Sequence, residues 1–110
     1  MRRKSAVFTY GTAQVRTVTI AGEPWFVARD VCAALSMTNA SQSISRLDAD
    51  EKNTIILNEG NRGNPNYVAV NEPGLYSLIL GSRKPEARAF KRWITHEVIP
   101  SIRRNLTIRP

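Results

Sequence analysis

Apolar positions follow two periods along the chain, and the change of period marks out its parts. Residues 7–10 and 15–20, the latter reading VRTVTI, alternate Val15, Val18 and Ile20 imperfectly with polar neighbours, which is a strand pattern. Ala21-Gly22-Glu23-Pro24 reads as a turn and Trp25-Phe26-Val27 as a short apolar strand, so the N-terminal part is expected to be a β-meander. The spacing then widens. Val27, Val31, Ala34 and Leu35 fall at i, i+4, i+7 and i+8, one face of a helix, with Asp30 in its first turn where the helix dipole favours an anion. Ser36-Met37-Thr38 breaks that run. Asn39, with Gln42 three residues on, is placed to cap a second short helix whose apolar side holds just Ile44 and Leu47.

Strands are expected again over Asn53–Asn58 and Tyr67–Asn71, joined by a hairpin tip, EGNRGNPN, that carries Arg62. Asn71 then caps a helix with Pro73 early in it, Leu75, Leu78 and Ile79 on one face, and Gly81-Ser82 at its end. Pro85 opens the last and longest helix, where Ala87, Phe90, Ile94 and Val98 form a stripe with Trp93 at its edge. Pro100 is expected to break or bend that helix before the basic turn Ser101-Ile102-Arg103-Arg104. The fold class predicted is α+β: a small antiparallel sheet of hairpins packed with several short helices and a longer, basic, amphipathic C-terminal helix.

Charge changes the picture from fold to partner. The 110 residues hold 16 Lys and Arg against 9 Asp and Glu, a net charge of +7, and the isoelectric point is near 10.3. Such a balance in one small domain fits nucleic acid, an anionic membrane surface or an acidic protein partner. The excess is clustered: Arg83, Lys84, Arg88, Lys91, Arg92, Arg103 and Arg104 all lie within the last helical region. Arg88 and Arg92, with Thr95, lie opposite the apolar stripe, and Lys91 near its boundary. Like charges at i and i+4 cost a few tenths of a kcal/mol in an isolated helix, so stability alone does not explain them. These seven residues are the expected phosphate contacts, giving salt-dependent affinity without reading sequence.

A second nucleic-acid candidate is ARDVCAALSMTNASQSISRL, residues 28–47, which resembles a helix-turn-helix. Gln42, Ser43 and Arg46 would then be the base-contacting residues, Gln42 toward adenine and Arg46 toward guanine. The turn has Ser36 where a glycine is expected, and the spacing to Ile44 is about two residues long for the tight form of the motif. Arg62 would act as a wing on DNA. The bland alternatives are a helical hairpin covering the sheet and an ordinary loop.

Enzymatic chemistry finds no foothold. His96 is the one histidine and Glu97 beside it points elsewhere on the helix; no His or Cys spacing suits a metal, and no glycine-rich loop cradles phosphate. Asp48, Asp50 and Glu51 are read as capping a turn. Cys32 is read as a small core residue, since a lone cysteine forms no internal disulfide and suits a reducing cytosol. Met1-Arg-Arg-Lys4 has the charge of a signal peptide start, but SAVFTYGTAQVRT lacks its apolar centre. No apolar run approaches the ~18 residues of a membrane span. No cofactor, metal or membrane partner is expected.

The segments VRTVTIAGEPWFVARDVCAAL and NEPGLYSLILGSRKPEARAFKRWITHEVIPSIRR, and the order of elements between them, resemble the Bro-N domain, the N-terminal domain of baculovirus Bro proteins and of many phage and prophage antirepressors. The similarity runs from about Phe8 to Arg104, is most specific in PWFVARDV and SRKPEARAFKRWITHEVIPSIRR, and is looser over residues 48–66. It implies one compact α+β domain over residues 1–110, associated with DNA binding in viral and prophage regulators, with no catalytic residue. Family members often carry a second, C-terminal domain, and residues 105–110 read as a tail or the start of a linker to one. The expectation is a non-enzymatic DNA-binding regulatory domain, antirepressor-like, working on double-stranded DNA in the cytoplasm of a bacterial host. The alternative is a module that binds and inactivates a repressor protein. A homodimer is a third expectation, through apolar surface around Tyr76, Leu80 or Leu106.

Overall fold

The computed structural model describes residues 3–57 and 65–106. Strands β1 (Arg3–Tyr10), β2 (Ala13–Ile20) and β3 (Glu23–Val27) form the expected meander. Two two-residue turns set its register. Tyr10 pairs with Ala13 around Gly11, at φ 61°, and Ile20 pairs with Glu23 around Ala21 and Gly22, at φ 53° and 81°. Positive φ at both centres of the second turn matches the twist of the flanking strands. The turn is therefore shorter than the sequence suggested, and Pro24 already lies in β3, opposite Thr19.

Strands β4 (Lys52–Ile56) and β5 (Asn66–Val70) form the second hairpin. The expected wing residue Arg62 lies in its tip, outside the described residues. All five strands make one antiparallel sheet in the order β1-β2-β3-β5-β4, because β5 inserts next to β3 through Phe26 opposite Val70 and Val27 opposite Ala69. Alternation then divides the side chains. Phe8, Tyr10, Val15, Phe26 and Val70 join the main core with the helices. On the other face Val18, Val27, Ile55 and Ala69 are buried under Ile20, Trp25, Leu57 and Tyr67, a cluster to which no helix contributes.

Helix α1 (Ala28–Ala34) follows β3 without a loop; Val27 stays in the strand and caps it, although its spacing had placed it on the helix face. Asp30 in its first turn binds across to β2. The Arg16 side chain donates from Nε to Asp30 Oδ2 at 2.8 Å and from Nη2 to Oδ1 at 2.9 Å, and the Arg16 amide donates to Oδ2 at 3.0 Å. The forked geometry, with side-chain exposures of 20% and 13%, makes this the strong kind of ion pair. The guanidinium also lies 4.6 Å from the centre of the Tyr67 ring on β5. One arginine thus joins β2, α1 and β5.

Helix α1 ends as predicted, but the reason lies in the backbone. Ser36 adopts φ 56°, the left-handed conformation in which glycine is usual, while its amide donates to Ala33 O and that of Met37 to Cys32 O. This pair of bonds is a Schellman termination. Helix α2 (Ala40–Ser45) follows, capped by Asn39, whose Oδ1 accepts the Gln42 amide. The acidic residues after it close a 3-10 turn, Ala49–Glu51, in which the Asp48 amide donates to Glu51 Oε1 at 2.9 Å.

Helix α3 (Glu72–Gly81) is capped by Asn71 and buries Gly74, Leu75, Leu78 and Ile79. Asn71 accepts the Gly74 amide, donates its side-chain amide to Asp50 O and its main-chain amide to Glu51 O. Gly74 is required by proximity: a Cβ there would sit 2.8 Å from Glu51 O. The C-terminal helical run has three parts, α4 (Glu86–Trp93), a π turn (Ile94–Val98) and α5 (Ile99–Leu106). Pro100 does not end the helix. The Ile99 amide reaches back to Ile94 O, and the wider turn takes up the residue whose ring and missing N–H an α-helix would not tolerate. Ala87, Phe90, Ile94, Val98, Ile99 and Ile102 are all buried as a result.

Replacing Asp30 by Ala removes the forked carboxylate from a largely enclosed Arg16 cation. The expected cost is about 3 kcal/mol in urea-unfolding free energy, and Asp30→Glu should recover part of it.

Candidate nucleic-acid interface

Helix α4 is held on the sheet by aromatic packing. Phe90, fully buried, meets Tyr10 edge-on with ring centres 5.4 Å apart, and Trp93 packs against both, at 4.9 Å from Tyr10 and 5.6 Å from Phe90. With that side fixed, Arg88, Lys91 and Arg92 are necessarily turned outward, and all three are exposed. Together with Thr95 and His96 they line a shallow recess of about 460 Å³. Among the described residues, none of these three cations pairs with a carboxylate.

The floor of this recess depends on the π turn. Thr95 Oγ1 donates to Lys91 O at 3.0 Å and also lies 3.3 Å from Arg92 O. His96 Nδ1 lies 3.0 Å from Arg92 O and 3.1 Å from Thr95 Oγ1. Both side chains are drawn to the carbonyls at the end of α4, which fixes the imidazole beside the Arg92 backbone. Sequence reasoning had considered His96 for catalysis alone. Its place beside a basic face follows from its position four residues after Arg92 and eight after Arg88, a helical spacing already present in the sequence.

The other basic residues separate into different environments. Lys84 donates from Nζ to Ser36 O, tying the loop before α4 to the turn after α1. Arg83 is exposed in the same loop. Arg103 pairs with Glu72 at 3.4 Å, although its side chain remains 66% exposed. That pairing reaches Tyr76, whose hydroxyl lies 3.5 Å from Glu72 Oε2. Burial first, then the Glu72 charge and hydrogen bond, hold the Tyr76 phenol above its ordinary pKa, while Arg103 pulls it the other way. Arg104 lines a separate cleft with Phe8, Thr9, Trp93, His96, Glu97 and Ser101. The seven cations therefore do not form one uniform stripe; Arg88, Lys91 and Arg92 are the three that the structure gathers.

The base-contact candidates lie on α2, with Arg46 at its C-terminal cap. Gln42, Ser45 and Arg46 are exposed and Ser43 is half-buried. Gln42 Oε1 accepts from Asn39 Nδ2 at 2.8 Å, so part of its amide serves the helix cap. Arg46 and Ser43 border a small recess with Met37, Ser77 and Gly81. Leu80 is 83% exposed and, with Tyr76, Ile79, Lys91 and Thr95, borders an apolar recess of about 300 Å³ next to the basic one. The Leu106 side chain lies outside the described residues. Among those residues there is no cluster of three or more His, Cys, Asp and Glu able to hold a metal, and no helix long and apolar enough to cross a membrane.

A family model described as the BRO family, N-terminal domain, matches residues 14–100. The chain belongs to this family. An uncharacterized protein of Haemophilus influenzae is 37% identical over 83 residues, which cover 76% of this chain and 41% of the relative. Bro-N domain-containing protein 201R of Invertebrate iridescent virus 6 is 29% identical over 111 residues, covering 83% of this chain and 26% of the viral protein. Protein 289L of the same virus is 26% identical over 110 residues, with the same two coverages. The chain thus spans less than half the length of these relatives. No solved structure matches it.

Cys32, 1% exposed and with its thiol pKa pushed up by burial, is a core residue of this Bro-N domain. Iodoacetamide at pH 8 should label it much more slowly in the folded protein than in urea. Mass spectrometry of timed samples checks this, and equal rates would mean that the α1 core opens readily.

Proposed function

We propose that this Bro-N domain is a non-enzymatic DNA-binding regulatory module of the phage or prophage antirepressor type, acting in the host cytoplasm. The observation that carries the reading is the α4 face. Arg88, Lys91 and Arg92 are exposed together with no carboxylate partner among the described residues, in a chain of net charge +7. A helix that carries like charges on one face, unpaired with its own acid Glu86, gains most from a polyanion. Phosphate oxygens supply that charge, and the gain comes from releasing condensed counterions. Arg83 adds a cation from the loop before α4, while Lys84, Arg103 and Arg104 contribute after giving up part of their present contacts. Gln42, Ser43 and Arg46 on α2 are the candidates for reading bases, and this second role is separable from the first.

A second reading is favoured by Leu80. Its exposure beside Tyr76, Ile79 and Lys91 gives the basic face an apolar neighbour suited to a repressor protein with an acidic, apolar-anchored surface. Capture from a lysogen followed by nuclease treatment separates the two, because a protein partner survives loss of DNA.

Fluorescence anisotropy with duplex DNA at several salt concentrations tests the leading reading. Arg88→Ala with Arg92→Ala should reduce the slope of log K against log[salt] by about 2, near 0.9 per phosphate contact, and weaken all duplexes alike. An unchanged slope would remove α4 from the interface. Gln42→Ala with Arg46→Ala should leave the slope nearly intact and flatten any preference among duplexes.

A further inference from the structure

We infer that the free edge of β1 is a self-association surface, on which a second copy of this chain adds its own β1 antiparallel and joins the two sheets into one. This does not depend on the DNA reading, and β1 lies before the family-matched residues 14–100.

Among the described residues, strand β1 is terminal in the sheet order and pairs with β2 alone, through an unbroken register from Arg3 opposite Ile20 to Tyr10 opposite Ala13. Edge strands are normally guarded by shortness, proline, a bulge or an inward-pointing charge, since their unpaired N–H and C=O groups template further pairing. At eight residues, RKSAVFTY, β1 has no proline and no bulge, and its two charges stand together at its start. The opposite edge, β4, is five residues long. In the middle of β1, Val7 is 56% exposed on the face away from the helices, while its neighbours Phe8 and Tyr10 pack into the core.

Symmetry restricts the register. A twofold axis perpendicular to the sheet keeps each face on its own side, so facing residues must be both odd or both even in number. An axis through Val7 satisfies this and sets Val7 against its twin, Ala6 against Phe8, Ser5 against Thr9 and Lys4 against Tyr10. No like charges face each other. The exposed valine is covered by an identical one, a small residue meets a large one, and each Lys4 ammonium meets an aromatic ring. Moving the axis to Lys4 would oppose two ammonium groups and shorten the overlap, so charge favours the Val7 register over that end.

Sedimentation velocity and light scattering over a range of protein concentrations test the inference. A concentration-dependent dimer is expected, and a monomer throughout would overturn the proposal. Val7→Lys places two ammonium groups face to face on the axis and should raise the dissociation constant by at least an order of magnitude. Because Val7 is already exposed, far-UV circular dichroism and the melting temperature should hold. A dimer indifferent to Val7→Lys would place the contact elsewhere. In a Cys32→Ser background, Val7→Cys should oxidise to a disulfide-linked dimer. Ser5→Cys should do so only when mixed with Thr9→Cys, and equal self-linking of Ser5→Cys would rule out this register.

Discussion

The C-terminal helical run must keep its apolar side on the sheet from Ala87 to Ile102 while passing through Pro100. An uninterrupted α-helix cannot do both, because proline removes an amide and its ring strikes the carbonyl four residues back. The π turn over Ile94–Val98 resolves the conflict by holding one extra residue, which sets the following helix back by about 100°. Adjacent residues Val98 and Ile99 are both buried across this step. Arg92 and Arg103, eleven positions apart, would share a side of a regular helix. Set back by the π turn, Arg103 instead reaches Glu72 on α3. The separation of Arg103 from the cations of α4 follows from a backbone adjustment made for the core.

What the sequence revealed was local. Asn39 and Asn71 were recognisable as caps because a cap is defined by amides two or three residues away, and both accept such bonds here. The stripe through Phe90 and Ile94 was legible for the same reason. The insertion of β5 beside β3 was not, since strand order depends on contacts forty-four residues apart, Phe26 with Val70. Nor was the Arg16–Asp30 bridge, whose partners belong to elements with different periods. Pro100 was read as a break or bend, because composition identifies a helix breaker but not the π turn that carries the helix past it. Ser36 stood where glycine was expected and takes the conformation glycine would have taken, so its identity obscured a termination that its backbone completes.

The candidate interface was legible in outline and not in detail. A count of basic residues locates the helix, but it does not distinguish a cation with room for a new partner from one already engaged. Lys84 and Arg88 are alike in the sequence. In the fold, the first closes the α1–α2 turn through Ser36 O and the second has no carboxylate among the described residues. Thr95 and His96 acquire a role because they are attached to the backbone of the residues that carry the charge. A surface defined by net charge alone would have included Arg103 and left out the histidine.

Asn71 shows how order could be lost as well as how it is held. Its hydrogen bonds join the end of β5, the first turn of α3 and the 3-10 turn after α2, and Gly74 fits against the same turn without room for a methyl group. Fraying at the start of α3 must therefore release the 3-10 turn as well. These three segments should open as one cooperative unit, with amides that share a common rate of exchange with solvent.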